Sequence, residues 1–231
     1  MTHSLPLTQH DTADESPGRG DLRITEIFLS LQGEARTVGW PTVFVRLTGC
    51  PLRCTYCDTA YAFEGGHWMT QAQVLARVAQ VGARHVTVTG GEPLAQKRCI
   101  ALLQALCDAG YEVSLETSGA LDVAAVDARV SKVVDLKTPS SGEERRNRWE
   151  NLPLLTARDQ VKIVIGGRED YDWAKIKLAE WRLTERCEVL FSPVYGQITP
   201  RELAEWILAD RLNVRFQIQL HKLLWGDERG R

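Results

Sequence analysis

The sequence predicts an α/β protein, an open, partial (β/α) barrel built on a parallel sheet with abridged helices. Three observations predict it. Short runs dense in Val and Ile alternate along the chain with helical stretches, and repeated β-α units imply a parallel sheet with right-handed crossovers. The central runs read as strands covered on both faces. The residues able to do chemistry fall at the C-terminal ends of those runs, where ligands gather in such folds.

Taken in order, residues 1–21 are polar, rich in Thr, Asp, Ser, Gly and Pro, and are expected to form a disordered tail ahead of one folded domain over 22–231. Strands are read at RITEIF (23–28), TVFVRLT (42–48), HVTVTG (85–90), EVSLET (112–117), KVVDLK (132–137), QVKIVI (160–165), CEVLFSP (187–193) and RFQIQL (215–220). Between them Thr70 caps a helix over 70–81, a second covers 97–108 and stops at Gly110, a third covers 171–182, and a fourth covers 199–209 with Pro200 in its first turn. The stretch 122–129 allows only a short helix. The polar stretch 137–155, with its charge run GEERRNR, reads as a solvated face or a mobile loop rather than a phosphate site.

At 231 residues, 44% hydrophobic and 25% charged, the chain is large enough for a full core. No run approaches the ~18 apolar residues of a membrane span. A formal charge of −2 argues against capture of nucleic acid, which wants a basic face, so a small-molecule substrate is expected. The beginning MTHSLPLTQHDTADESPGRGD has no apolar h-region, and a reducing cytoplasm is expected.

Cys50, Cys54 and Cys57 stand in GCPLRCTYCDT as C-x3-C-x2-C, with Tyr56 before the last cysteine. Three thiolates on one short loop can hold three irons of a [4Fe–4S] cluster, which usually takes four cysteines. The fourth iron is then open and can chelate the amino and carboxylate groups of S-adenosylmethionine, whose reductive cleavage yields a 5′-deoxyadenosyl radical. A structural zinc site competes, but it would need a fourth ligand, usually from a second C-x2-C or H-x3-5-H pair. Cys99, Cys107 and Cys187 are scattered singles and read as buried small hydrophobes.

Other strand ends carry further candidates, each with a plain structural alternative. Gly90-Gly91-Glu92-Pro93 is a strand-to-helix turn, or a place where backbone must approach the methionine ammonium closely, which glycine permits, with Glu92 adding an acceptor or fixing the loop. Asp58-Thr59 is a local cap, or offers the Thr59 hydroxyl to Mg2+, which takes few protein ligands. Leu31-Gln32-Gly33-Glu34 is an exposed turn, or an amide and carboxylate set beside a glycine. Arg46 is a surface strand arginine, or a bidentate carboxylate clamp. Glu116-Thr117-Ser118-Gly119, Lys137 and Ser192 close their strands. His221, at the end of the last run, reads as structural on spacing alone.

Taken together, LQGE, FVRLTGCPLRCTYCDT, HWMT, TGGEP, ETSG, the lysine of DLKTPSS, VKIVI and QLHKLLWGDERGR resemble the 7-carboxy-7-deazaguanine synthases, a family of the radical S-adenosylmethionine superfamily. The resemblance runs from about Leu22 onwards and implies a barrel of the radical S-adenosylmethionine type. It implies ring contraction of 6-carboxy-5,6,7,8-tetrahydropterin to 7-carboxy-7-deazaguanine with loss of ammonia, on the route to queuosine. It also implies a [4Fe–4S] cluster, S-adenosylmethionine, Mg2+, a homodimer and a flavodoxin-like reductant. Carried over by position, Cys50, Cys54 and Cys57 hold the cluster, and Thr59 takes Mg2+. Tyr56, Asp58, Gly91, Ser118, Lys137 and Ser192 contact the cofactor. Leu31, Gln32, Gly33, Glu34, Arg46, Thr89 and His221 hold the pterin. One departure is visible: Asp-Leu precedes Lys137 where Ser-Pro is expected in many relatives. A glycyl-radical activating enzyme and a non-catalytic zinc-stapled module are the alternatives.

Overall fold

The computed structural model describes residues 21–230. The tail assigned to 1–21 lies outside these except for Asp21, which already opens the first strand. Nine strands are described: β1 (Asp21–Leu31), β2 (Pro41–Leu47), β3 (His67–Thr70), β4 (His85–Gly90), β5 (Glu112–Thr117), β6 (Ser131–Leu136), β7 (Gln160–Ile165), β8 (Glu188–Pro193) and β9 (Arg215–Phe216). They form one open sheet in the order β3-β1-β2-β4-β5-β6-β7-β8-β9. From β2 to β9 all neighbours are parallel. At the edge, β1 runs antiparallel to both β2 and β3. The connection from β1 to β2 has no crossover helix, and only an antiparallel partner can be reached by so short a return.

Helices α1 (Gln71–Val81), α2 (Cys99–Asp108), α3 (Arg168–Trp181), α4 (Leu183–Arg186), α5 (Pro200–Asp210) and α6 (Leu220–Trp225) complete the fold. Helix α1 starts where expected because Thr70 and Gln73 form a reciprocal capping box. Thr199 and Glu202 do the same for α5, with Pro200 in the first turn.

The strands are two-sided in a way their Val and Ile content hides. Val43, Val45 and Leu47 of β2, Val86 and Val88 of β4, and Val113 and Leu115 of β5 are buried in one core with Leu102, Leu103 and Leu106 of α2. Val161, Ile163 and Ile165 of β7 and Val189 and Phe191 of β8 join Tyr171 and Ala174 of α3 in a second. Because side chains alternate across a strand, the residues between them face the other way: Arg46, Thr89, Glu116, Asp135 and Lys162 all line one cavity. The expected apolar cover on both faces is therefore corrected. Helices cover one face, and the opposite face carries charge.

Three further expectations are corrected. The run RFQIQL is a strand only at Arg215–Phe216. Gln217 still donates its N–H to the Phe191 carbonyl at 3.0 Å, while its side chain brackets Ala35, accepting from its N–H at 2.7 Å and donating to its carbonyl at 2.9 Å. Consequently His221 lies in the first turn of α6 and not at a strand end. The stretch 122–129 has no helix; Asp122 and Asp127 make local turns to the N–H groups of Ala124 and Arg129. The stretch 137–155 is neither solvated throughout nor loose. It is a chain of 3-10 turns anchored by buried Asn147 and Asn151. Asn147 accepts from the Lys137 N–H and donates to its carbonyl, both at 2.8 Å.

Candidate active site

One cavity of about 720 Å³ opens at the C-terminal ends of the parallel strands, within the ~300–1,000 Å³ of small-molecule sites. Every residue that the resemblance assigns to the cluster, Mg2+, cofactor or pterin lines it except Ser192, and Glu92 stands behind the wall. Ser192 is buried at the end of β8, opposite Val164, with its hydroxyl unpartnered among the described residues.

The cysteine loop forms one wall. Cys50 and Cys54 are half-buried, Cys57 is exposed, and all three are free thiols. Burial raises the thiols of Cys50 and Cys54, and the Lys137 ammonium opposes that rise at both. Among the described residues no three His, Cys, Asp or Glu side chains converge on a single-ion site. Three thiols on one short loop are a donor set that the separate irons of a cluster would take. Tyr56 stays neutral, pushed up to about 12 by burial, with Asp135 adding to the rise.

The TGGEP turn is built against this loop. Gly91 donates its N–H to the Leu47 carbonyl at 3.1 Å, and Glu92 donates to the Gly49 carbonyl at 2.8 Å. A Cβ on Gly91 would sit 2.3 Å from the Gly49 oxygen and 2.8 Å from Cys50 Cβ. The glycine is therefore demanded by the backbone of the cysteine loop. Glu92 is fully buried. Its carboxylate accepts from the Leu94 N–H at 3.0 Å, the Thr117 hydroxyl at 2.9 Å, and the Ser118 N–H and hydroxyl at 2.7 and 2.5 Å. Of the two roles read for Glu92, it performs the second: it fixes the loop and orients Ser118.

The floor is a buried ionic network that the sequence reading passed over. Lys162 Nζ lies 2.7 Å from Glu34 and 3.5 Å from Asp135, and Lys137 Nζ lies 3.0 Å from Asp135. Burial would depress the Lys162 ammonium, but Glu34, Asp135 and Glu116 outweigh it and hold it well above its usual value. Glu116 accepts from Gln32 Nε2 and the Thr89 hydroxyl, both at 3.2 Å. Burial, with Glu34 beside it, raises its carboxyl above the ordinary range against the pull of Lys162 and Arg46. The signal was present as a lysine and an aspartate at the off-phase positions of QVKIVI and KVVDLK.

The remaining walls come from the two ends of the described chain. Arg46 is held through Nε by Glu26 at 2.7 Å, and its guanidinium lies 5.9 Å from each of the Phe28 and Tyr61 ring centres. A Cβ on Gly33 would lie 2.3 Å from His221 Nδ1, and Leu220 donates its N–H to the Gly33 carbonyl at 3.0 Å. Burial lowers the His221 imidazole, opposed by Glu34 and Asp58. Lys222 Nζ reaches Asp58 at 3.8 Å, and the Arg229 guanidinium lies 4.4 Å from the Tyr61 ring centre. Thr59 donates its hydroxyl to Asp58 at 2.7 Å.

Residues 44–182 match the Radical SAM superfamily. The chain is 49% identical over 213 residues to a 7-carboxy-7-deazaguanine synthase of Chlorobaculum tepidum, covering 90% of this chain and 97% of that one. It is 40% identical to one of Koribacter versatilis, covering 90% and 98%. The crystal structure of QueE from Escherichia coli superposes with a TM-score of 0.73 at 27% identity, over 87% of this chain and 95% of that one.

Proposed function

The chain belongs to the 7-carboxy-7-deazaguanine synthases of the radical S-adenosylmethionine superfamily, and from that membership and its cavity we infer how its residues divide the work. It is a lyase that contracts the ring of 6-carboxy-5,6,7,8-tetrahydropterin to 7-carboxy-7-deazaguanine on the route to queuosine. The family implies an iron–sulfur cluster and S-adenosylmethionine, which together supply the radical chemistry when bound. Cys50, Cys54 and Cys57 would hold the cluster, and Tyr56, Asp58, Gly91, Ser118, Lys137 and Ser192 would contact S-adenosylmethionine.

The observation that carries the reading is the meeting, in one cavity, of a three-thiol wall with a floor of buried ions. Gln32, Glu34, Thr89, Glu116 and His221 offer donors and acceptors to the polar edge of a pterin. Arg46 keeps its terminal nitrogens clear of any protein acceptor among the described residues, so they are available to a carboxylate, and a bidentate fork suits that group. Lys162 neutralises the floor so that Glu34 and Glu116 can stand near each other. Leu31 and Gly33 close the wall beside His221. A charged floor suits a small polar heterocycle better than the protein backbone of an activating enzyme's substrate.

Thr59 fits a Mg2+ ligand: a hydroxyl that gives its proton to Asp58 keeps its lone pairs for a cation. No described helix is long and apolar enough to cross a membrane, in keeping with a cytoplasmic enzyme. A homodimer and a flavodoxin-like reductant complete the reading.

The decisive experiment is an anaerobic reaction with the carboxytetrahydropterin, S-adenosylmethionine and dithionite, read by mass spectrometry. The expected product is lighter than the pterin by ammonia. Cleavage of S-adenosylmethionine with the pterin returned unchanged would refute the assigned substrate, and colourless protein carrying zinc would refute the cluster.

A further inference from the structure

Among the described residues three that are not glycine have a positive φ: Ala35 at 62°, Arg182 at 50° and Arg211 at 51°. Arg182 and Arg211 close α3 and α5, where a left-handed residue commonly ends a helix. Ala35 ends no helix, and its methyl offers no polar group that would favour the conformation locally. Surrounding structure must therefore hold it there.

Gln217 supplies that hold. Its Oε1 accepts from the Ala35 N–H at 2.7 Å and its Nε2 donates to the Ala35 carbonyl at 2.9 Å, so one side-chain amide pairs with both backbone groups of a single residue. Ala35 and Gln217 are both buried. The Ala35 carbonyl also accepts from the Val38 N–H, at a longer 3.4 Å. Gln217 is itself anchored through its N–H to the Phe191 carbonyl of β8 at 3.0 Å. The amide thus ties the loop after β1, near one edge of the open sheet, to β8 near the other. The residue ahead of Ala35 is the one that faces the cavity. Glu34 lines it, its Oε2 accepts from Lys162 Nζ at 2.7 Å, and its Oε1 is buried with no hydrogen-bond partner among the described residues. Rotating Ala35 out of the left-handed region would swing the backbone that carries Glu34, and the free oxygen would no longer point where it does.

We propose that Gln217 is a positioning residue for the pterin: by bonding both backbone groups of Ala35 it keeps that residue left-handed and so aims the Glu34 carboxylate into the cavity. Gln217 does not line the cavity itself and acts only through Ala35 and Glu34. The proposal rests on the reading of Glu34 as a pterin contact.

The test reads binding of 6-carboxypterin, the oxidised form of the substrate, by its fluorescence in anaerobic cluster-loaded protein, together with KM and kcat for the tetrahydropterin. Gln217→Met, unbranched and of similar length, removes both bonds to Ala35. It should weaken binding about tenfold and raise KM about as much at nearly constant kcat, the loss expected when one charged hydrogen-bonding group is misplaced. Cleavage of S-adenosylmethionine without pterin should be unchanged. Adding Ala35→Gly to Gln217→Met should recover most of the affinity, because glycine takes a positive φ without steric cost. The urea midpoint should stay lowered in both, since neither regains the two bonds; affinity recovered without stability separates positioning from folding. If Gln217→Met does not fold, Gln217→Glu, which keeps an acceptor for the Ala35 N–H, is titrated in its place and should show a smaller loss. Wild-type affinity in the Gln217 variant overturns the proposal, as does a loss that Ala35→Gly leaves uncorrected. Glu34→Gln tests the premise: if it binds 6-carboxypterin as tightly as wild type, Glu34 is no pterin contact, and the proposal falls with that reading.

Discussion

Glu26 holds Arg46 from behind: its Oε1 accepts from Arg46 Nε at 2.7 Å and from the Tyr61 hydroxyl at 2.8 Å. Glu26 does not line the cavity; Arg46 and Tyr61 do. One carboxylate thus fixes the plane of a guanidinium whose far edge faces the substrate space. Glu26→Ala should raise KM for the pterin about tenfold at nearly constant kcat, the loss expected when one charge-assisted hydrogen bond no longer orients a binding group. Glu26→Gln, which keeps an acceptor for Nε, should recover most of it. Iron content should not change in either. Unchanged KM in Glu26→Ala would leave Glu26 with a structural role only.

Removing one thiol of the loop should differ in kind from removing one elsewhere. Cys54→Ala should lose bound iron and its visible absorption, since Cys54 shares its loop only with the other two ligands. Cys99→Ala, buried at the start of α2 in the core, should keep iron and cost about 1–2 kcal/mol of packing. Iron analysis and chemical denaturation decide between them, and retention of iron by Cys54→Ala would sink the ligand assignment.

The Thr59 hydroxyl should matter through a cation. Thr59→Ala should reduce turnover and blunt its dependence on added Mg2+, whereas loss of a turn cap alone costs about 1 kcal/mol of stability. Full activity of Thr59→Ala in the presence of a chelator would show that the hydroxyl serves only Asp58.

Lys162→Met should destabilise the metal-free protein by about 3–5 kcal/mol, because Glu34, Asp135 and Glu116 are left without a buried counter-charge. Lys175→Met, which breaks an ion pair nearer the surface with Asp172 and Asp210, should cost no more than about 1 kcal/mol. The sign with pH follows from Glu116, whose carboxyl is already raised in the folded protein. A raised carboxyl contributes stability that is present below its unfolded pKa and lost as pH rises through the folded one. The Lys162→Met penalty should therefore shrink as pH falls through the raised Glu116 carboxyl. A penalty independent of pH, measured by urea denaturation, would mean that the lost term is packing.

The sheet's central strands and the four long helices were legible because period and caps agree: the Thr70 and Thr199 boxes sit where the text places them. The cysteine loop was legible from its spacing and LQGE from its place after the first strand, whereas the role of His221 came from the resemblance alone; the cavity brings them together. The ionic floor was missed because Lys162 and Asp135 sit inside apolar runs, and only the alternation of faces separates them from the core. RFQIQL misled because its alternation is genuine, but Gln217 pairs with the backbone of a distant loop. The order in 137–155 was hidden because two buried asparagines bind its backbone, and its buried Leu152 and Leu155 follow no regular period.

The bonds from Ala35 to Gln217 and from Gly33 to Leu220 join stretches separated by 182 positions in the first case. The cysteine loop closes against β2 and the turn after β4, far nearer in the chain. Contacts of long sequence separation form late, after shorter loops have closed. On that ground folding should bring the thiols together before the wall carrying His221 is added. A metal donor can reach them from a side that the finished molecule covers. Amide exchange at Leu220 against that at Glu92 reads this order directly, and the two protecting in a single step would contradict it.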